Sequence, residues 1–188
     1  MDERLLPRAF WFLRHGETDW NAQHLSQGNI DIPLNATGRA QAIAAAAMLR
    51  GRGIATIVSS PLSRAHDTAL AFAGTVGLEV ALDEGLREVS FGVQEGQPMS
   101  QWFSDWVTGH FTPENAETFT SLRARAVAAI NRALARPAPV LVVAHGALFR
   151  ALRAEMGLEA NVRTPNAMPF FCRPATPAWD LVPASELR

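Results

Sequence analysis

The chain has 188 residues and a formal net charge of −1, with 17 basic and 18 acidic residues mixed along its length. Because no basic stripe stands out, binding to DNA or RNA is not expected. The chain contains no lysine and no tyrosine, which excludes mechanisms that need a phosphate-loop lysine, a Schiff-base lysine or a tyrosyl nucleophile.

The length suits one domain, which we expect to span residues 1–188. The longest apolar stretch, 42–49, is far shorter than the ~20 residues of a membrane-spanning helix. The single cysteine, Cys172, has no partner for an internal disulfide, and the first four residues lack the basic start of a secretory signal. We therefore expect a cytoplasmic protein without membrane association.

Short apolar runs alternate with helical patterns along the chain. The runs Phe10 to Leu13 and Val140 to Ala144 predict buried strands. The other predicted elements, in chain order, are a loop over 19–35, a helix over 39–50, a strand over 54–59, a helix from Ser60 to about Gly74, a strand over 80–82, helices over 117–136 and 147–156, and strands over 168–173 and 179–182. This alternation predicts an α/β fold, a three-layer doubly wound sandwich with a mostly parallel central sheet.

Residues 93–115 interrupt this pattern. They combine Pro98, Gly109 and Pro113 with four aromatic residues, namely Trp102, Phe103, Trp106 and Phe111. Such aromatic spacing is more typical of a packed short helix than of a ligand site. We expect a small cap on the sheet, which is where substrate choice would reside.

Two histidines follow predicted strands directly. His15 belongs to the segment Arg14-His15-Gly16-Glu17-Thr18, and His145 precedes Gly146. A single histidine in such a place is more often structural than catalytic. In open α/β sheets, however, ligands bind at the carboxyl ends of the strands, so two histidines and an arginine there indicate a site for a phosphoryl group.

Three further residues extend this candidate site. Arg64 lies in the first turn of a predicted helix, where a bound anion would be shared with the helix N-terminus. Glu88 follows the third strand in a polar turn, and Asn21 lies in the loop after His15. Taken singly, Arg64 and Glu88 would be read as surface residues.

Five blocks of the sequence, in order, resemble the histidine phosphatase superfamily, which includes phosphoglycerate mutases and many small phosphatases. The resemblance covers roughly residues 10–182, and its blocks are 13–18, 27–38, 59–68, 86–96 and 143–146. It implies that His15 attacks phosphorus and becomes a transient phosphohistidine, while Glu88 acts as acid and then as base. The residues that it implies for phosphate binding are Arg14, Arg64, His145 and Asn21. It calls for no metal and no cofactor.

Departures from the mutase pattern favour the small phosphatase branch. Mutases carry Glu-Arg-His-Tyr-Gly at the acid position and a later pair of arginines, whereas this chain has Glu88-Val89-Ser90-Phe91-Gly92 and no adjacent arginines. Small phosphatases often show Gly-Glu-Ser near residue 117; here alanine precedes Glu117, whose role stays open. We read Glu17 and Thr18 as residues that hold the loop.

The leading hypothesis is a phosphomonoesterase that acts on a small phosphorylated metabolite. The alternatives are a phosphoglycerate mutase, a protein phosphohistidine phosphatase, which would need an open groove, and a non-catalytic phospholigand-binding protein. His24, His66 and His110 match no block and are expected to be structural or exposed. The sequence leaves the identity of the metabolite and the oligomeric state open.

Overall fold

A computed structural model of the chain describes residues 3–187; Met1, Asp2 and Arg188, which belong to the predicted domain, lie outside the described residues. Within that range one sheet is formed by β1 (Phe10–Arg14), β2 (Thr56–Ser59), β3 (Val80–Leu82), β4 (Val140–Ala144), β5 (Pro169–Arg173) and β6 (Asp180–Pro183). The strand order is β3-β2-β4-β1-β5-β6. The first four strands in this order are parallel, whereas β5 and β6 add an antiparallel pair at one edge. The mostly parallel sheet is confirmed.

Helices cover both faces of this sheet. They are α1 (Asp19–Ala22), α2 (Ala36–Leu49), α3 (Ser63–Val76), α4 (Gln101–Val107), α5 (Phe119–Leu134) and α6 (Gly146–Glu155). In β1 the side chains of Phe10 and Phe12 join the core beneath α5 and α6. Those of Trp11 and Leu13 join the core beneath α2 and α3. Since successive strand residues point to opposite faces, the fully buried β1 supplies both cores, and the three-layer sandwich is confirmed.

Two predicted boundaries near the sheet edge are wrong. Helix α3 begins at Ser63, after the extended residue Leu62, and not at Ser60. The Ser60 hydroxyl contacts the ring of His145 instead of capping a helix. The predicted loop 19–35 contains the short helix α1, which a capping box between Thr18 and Asn21 starts.

The segment between β3 and α5 carries the predicted cap. Its helix α4 buries Phe103 and Trp106 in an aromatic cluster that also contains Phe91, Trp102 and Phe119. The cap is tied to the loop after β1 by an isolated bridge between Leu25 and Pro98. Among residues 3–187, no helix combines the length and the apolar character that a membrane crossing requires.

Candidate active site

The carboxyl ends of three neighbouring strands meet at one edge of the sheet. His15, Ser60 and His145 directly follow β1, β2 and β4, respectively. The backbone N–H of His15 donates to the Ala144 carbonyl at 3.0 Å, and that of Ser60 donates to the Val143 carbonyl at 3.0 Å. These bonds extend the parallel ladder beyond the strands, so the functional side chains are attached to rigid backbone.

A cavity of about 270 Å³ opens at this edge. Five of the six predicted site residues line it, namely Arg14, His15, Asn21, Arg64 and Glu88. The sixth, His145, is fully buried beside it, with its ring centroid 5.2 Å from that of His15. The structure therefore brings together all the residues that the sequence selected.

The tautomer of His15 follows from its hydrogen bond. Its Nδ1 lies 2.6 Å from the carbonyl oxygen of Gly16, which can only accept, so Nδ1 carries the proton and Nε2 has a free lone pair. The backbone N–H of Gly16 donates to the Thr68 hydroxyl at 3.0 Å. A Cβ at Gly16 would overlap the Gly38 carbonyl, because the two backbones touch there. The loop that carries the His15 ring is therefore packed tightly against the backbone at Gly38.

Burial lowers the pKa of His15 well below 6.5, and the positive charges of Arg64 and Arg14 lower it further. The imidazole is therefore neutral at pH 7. A neutral ring with an unprotonated Nε2 is the form in which histidine acts as a nucleophile.

Two buried arginines flank His15, and the Nε donor of each is unused. Arg14 donates through Nη1 to the Thr164 carbonyl at 2.6 Å. Arg64 donates through both terminal nitrogens, at 2.8 Å each, to the carbonyls of Ile30 and Gly28. The Nε atoms of both arginines are buried and have no hydrogen-bond partner among residues 3–187. Burial lowers the pKa of each guanidinium to about 10, so both remain charged at pH 7.

His145 offers a third unused nitrogen. Its Nε2 lies 2.7 Å from the Ser60 hydroxyl, which also accepts from the backbone N–H of Leu62 at 3.3 Å. The hydroxyl satisfies all its partners if it donates to Nε2, which leaves the ring proton on Nδ1. That Nδ1 is buried and has no partner in the described chain. Burial lowers the pKa of His145 well below 6.5, with Arg64 adding to the effect, so the ring is neutral.

The carboxylate of Glu88 is fixed by three backbone N–H groups. Its Oε1 accepts from Val89 at 3.1 Å and from Leu148 at 3.0 Å, and its Oε2 accepts from Ala147 at 3.0 Å. Two of these donors belong to the first turn of α6, where a negative charge is stabilised. A carboxylate has about four acceptor positions, so one remains, on Oε2.

Asn21 and Gln27 present amide groups to the cavity. The Oδ1 of Asn21 accepts from the backbone N–H of Thr18 at 3.2 Å, which leaves its amide N–H groups for a ligand. Gln27 lines the same wall, and its Oε1 accepts from the buried Thr18 hydroxyl at 2.8 Å. Thr18 therefore holds the loop, as expected. Gln27 was not among the predicted site residues, although it lies in one of the resembling blocks.

Other cavity residues that were not predicted include His24, Phe103, Arg150 and Arg163. His24 is exposed at the rim, so the structure does place one of the three remaining histidines at the cavity. Phe103 packs in the cap, as expected, and also lines the cavity. Arg150 lies four residues after Gly146 and three after Ala147 on α6, so helical spacing from the His145-Gly146 motif was the signal that could have found it. No pattern in the sequence marks Arg163.

Glu117, whose role the sequence left open, lies outside the cavity wall. It binds Arg125 through both carboxylate oxygens, at 2.9 and 2.6 Å. Arg125 is half-buried and also donates to the carbonyls of Gly85 and Arg87. Among residues 3–187, no group of three or more His, Cys, Asp or Glu side chains is placed to hold a metal ion.

Comparison with known proteins agrees with this geometry. The chain is 38% identical over 164 residues to a probable phosphoglycerate mutase of Yersinia pestis, with 80% of this chain and 76% of the relative covered. Among solved structures, a mycobacterial glucosyl-3-phosphoglycerate phosphatase in complex with vanadate (VO3) superposes with a TM-score of 0.80 and 34% identity, covering 93% of this chain and 96% of the other.

A phosphoserine phosphatase from Entamoeba histolytica, in complex with 3-phosphoglyceric acid, superposes with a TM-score of 0.78 and 26% identity over 92% of this chain and 94% of the other. Residues 10–169 match the sequence profile of the histidine phosphatase superfamily (branch 1). The chain belongs to the histidine phosphatase superfamily.

Proposed function

We propose that the protein is a phosphomonoesterase that hydrolyses a small phosphorylated metabolite through a phosphohistidine on His15, without a metal or other cofactor. One observation carries the proposal: buried N–H donors of Arg14, Arg64 and His145, which surround His15, have no acceptor in the described chain. Unpaired buried donors are costly in a folded protein. The equatorial oxygens of a transferring phosphoryl group are acceptors for such donors, and the charges of the two arginines oppose its negative charge.

In the first step, Nε2 of His15 attacks phosphorus in line, the new P–N bond forms, and the ester P–O bond breaks. Glu88 donates its proton to the leaving oxygen. Because only Oε2 of Glu88 has a free acceptor position, that atom carries the proton. Asn21 donates an amide N–H to the phosphate.

In the second step, a water molecule attacks phosphorus and the P–N bond breaks. Glu88 is now a carboxylate and takes the proton of the water on Oε2, which restores the acid for the next cycle. Inorganic phosphate leaves, and the lone pair returns to Nε2 of His15. The neutral state of the ring at pH 7 supports both steps.

The cavity supports a small substrate. Its volume of about 270 Å³ lies just below the ~300–1,000 Å³ typical of small-molecule sites. Phe103 of the cap lines one wall.

The test is p-nitrophenyl phosphate hydrolysis in EDTA between about pH 5 and 8, a range that brackets the ordinary imidazole pKa. We expect turnover by the wild type, none by His15→Ala, and wild-type turnover by the control His110→Ala, whose side chain is exposed and outside the cavity. Rapid quenching with substrate should trap an acid-labile phosphoryl group on the peptide that contains His15. Unchanged turnover in His15→Ala would refute the proposal.

A phosphoglycerate mutase is the second candidate, favoured by the 38% identity to a probable mutase. A coupled assay of 3-phosphoglycerate distinguishes the two functions. Release of inorganic phosphate supports the phosphatase, whereas formation of 2-phosphoglycerate supports the mutase. A third outcome, vanadate binding without either reaction, would favour a non-catalytic binding protein.

A cytoplasmic location and a single domain over residues 1–188 complete the proposal. The fully buried thiol of Cys172 is compatible with a reducing compartment. Cell fractionation and limited proteolysis test the two statements separately.

A further inference from the structure

The loop over residues 26–31 holds the guanidinium of Arg64. Both terminal nitrogens of Arg64 donate to carbonyls of this loop, those of Gly28 and Ile30, at 2.8 Å each. A guanidinium is planar and rigid, so two fixed nitrogens also fix the direction in which its remaining N–H groups point. The shape of the loop therefore determines where the buried Nε of Arg64, which has no partner in the described chain, is directed.

The loop is neither helix nor strand, and other segments hold its two ends. At one end Ser26 accepts from the backbone N–H of Gly96 at 2.8 Å and donates to the carbonyl of Gln97 at 2.9 Å. At the other end the Oδ1 of Asp31 accepts from the backbone N–H and the hydroxyl of Ser63, at 2.8 Å each. The two carbonyls that bind the guanidinium lie between these ends.

Glu95 supports the middle of the loop. Its Oε1 accepts from the backbone N–H of Asn29 at 3.0 Å and from that of Phe91 at 3.1 Å. The N–H of Asn29 and the carbonyl of Gly28 belong to the same planar peptide group, so a bond to one orients the other. Glu95 and Arg64 thus bind opposite sides of one peptide group. The bond to a carboxylate also polarises that peptide group and makes its carbonyl a stronger acceptor.

Gly28 allows this close contact. Its φ of +54° is a conformation that residues with a side chain rarely adopt, and a Cβ at this position would overlap the Glu95 carboxylate. The carboxylate therefore packs directly on the backbone of the peptide that it orients. Glu95 itself does not line the cavity, and none of the ion pairs among residues 3–187 includes it. Its link to the site is the pair of backbone N–H groups from which it accepts.

We propose that Glu95 is a positioning residue for phosphoryl transfer, whose Oε1 orients the Gly28–Asn29 peptide and thereby directs the Arg64 guanidinium at the phosphate. The proposal rests on the proposed function, since that function assigns Arg64 to the phosphate. It requires an acceptor atom at the reach of a glutamate side chain, whereas the negative charge of Glu95 is dispensable. Arg64 stays charged at pH 7 in either case, because burial lowers its pKa only to about 10.

The first test compares Glu95→Gln with Glu95→Asp in p-nitrophenyl phosphate hydrolysis. Glutamine loses the charge but keeps Oε1 at the same reach, and its Nε2 replaces Oε2, which no hydrogen bond of the described chain uses. Aspartate keeps the charge but is shorter by one methylene, so it cannot reach both N–H groups. We expect kcat/KM within about threefold of wild type for Glu95→Gln and a loss of about 10- to 100-fold for Glu95→Asp, less than the ~10²–10³-fold for removing an oxyanion donor outright.

Glu114→Asp is the matched control, because Glu114 is an exposed glutamate of the same cap segment and does not line the cavity. It should keep the wild-type kcat/KM. Denaturant unfolding checks that each variant is folded. If Glu95→Asp does not fold, Glu95→Ala, which removes the carboxylate altogether, takes its place with the same expected loss.

A double-mutant cycle separates the positioning of Arg64 from a general loosening of the site. In an Arg64→Ala background the residue that Glu95 positions is gone, so Glu95→Asp should change kcat/KM by less than about twofold. A binding measurement does not need turnover. Calorimetry with inorganic phosphate should show weaker binding by Glu95→Asp than by the wild type, and wild-type affinity for Glu95→Gln.

Three kinetic results would overturn the assignment. These are wild-type kcat/KM in Glu95→Asp, equal losses in Glu95→Asp and Glu95→Gln, or an undiminished effect of Glu95→Asp in the Arg64→Ala background. The second result would assign the role to the charge of Glu95, and the third to a contact other than Arg64. Hydrolysis that depends on His15 but not on Glu95 would refute this inference alone. A wild type without hydrolysis would refute the proposed function; the phosphate affinities would then decide on Glu95, with equal affinities counting against it.

Discussion

Arg125 joins Glu117 to the turn that carries Glu88, the proposed acid–base residue. Its guanidinium binds both carboxylate oxygens of Glu117 and donates to the carbonyls of Gly85 and Arg87, at 2.9 and 2.8 Å. Glu88 is the next residue along the chain. Helix α5, which carries Arg125, therefore helps to position the Glu88 carboxylate without lining the cavity.

Replacing Arg125 by Met should disturb this turn. We expect a loss of about 1–3 kcal/mol in the free energy of unfolding, because two carbonyls and one half-buried carboxylate lose their donor. We also expect a lower kcat with little change in KM, since Glu88 acts on the leaving oxygen. Denaturant unfolding and steady-state kinetics measure the two effects. An unchanged kcat in a destabilised variant would limit Arg125 to a structural role.

Glu88→Gln should slow both chemical steps. Loss of the proton donor is expected to lower kcat for an alkyl phosphate by about 10²- to 10⁴-fold. With p-nitrophenyl phosphate, whose leaving group needs no proton, the rate of the first step should fall less than the rate of the second. Phosphoenzyme should therefore accumulate with this substrate. Quench-flow detection of phosphohistidine tests this expectation. Equal losses for both substrates, without accumulation, would argue against Glu88 as the acid.

Ser60→Ala tests the tautomer of His145. Without the hydroxyl at 2.7 Å, the ring proton is no longer held on Nδ1, and the phosphate loses a donor. We expect kcat/KM to fall about 10- to 100-fold, the scale for one hydrogen bond to a charged group. Ser59→Ala is the matched control: its neighbouring hydroxyl is equally buried but bonds only to the Ser60 carbonyl, so activity should persist.

The pH dependence of kcat/KM should reflect the low pKa of His15. Burial and the charges of Arg64 and Arg14 keep the ring neutral below its ordinary pKa of 6.5. The nucleophile should therefore stay active as the pH falls from 7 to 6, and any acidic limb due to His15 lies below 6.5. An acidic limb due to His15 that is centred at or above 6.5 would contradict the assignment.

Fold stability should fall as the pH is lowered below 6.5. Burial lowers the pKa of both His15 and His145 in the folded chain, so below 6.5 the unfolded chain binds more protons than the folded chain. Each ring makes the free energy of unfolding increase with pH by at most about 1.4 kcal/mol per pH unit in that window. Denaturant unfolding at several pH values should give a shallower slope for His15→Ala, and identical slopes would contradict burial of a neutral ring.

The positions of the site residues were predictable wherever a strand pattern fixed them. Val140 to Ala144 has the predicted bounds, and His15 and His145 lie where buried runs end. Parallel strands bring their carboxyl ends to one edge, so residues 130 positions apart in sequence become neighbours. A continuous apolar run is enough to predict such a strand, because a strand of a parallel sheet is buried on both faces.

Other features depend on contacts that no local pattern encodes. The start of α3 was misplaced because the Ser60 hydroxyl bonds to a ring 85 residues away instead of capping the helix. The position of the Arg150 guanidinium depends on the ring of Phe103, which lies in the cap, in another part of the chain. Arg163 lies in a loop without periodicity, so only the folded structure reveals it at the cavity.

Helix α6 positions several residues at the cavity. His145 precedes it, its first-turn N–H groups hold Glu88, and Arg150 lies one turn further along. A translation of α6 that enlarged the cavity for a bulkier substrate would also displace Glu88 and His145, the proposed acid–base residue and phosphate donor. New specificities on this scaffold should therefore arise by substitution at Phe103 in the cap or in the loop that carries Arg163, while the register of α6 on the sheet is preserved.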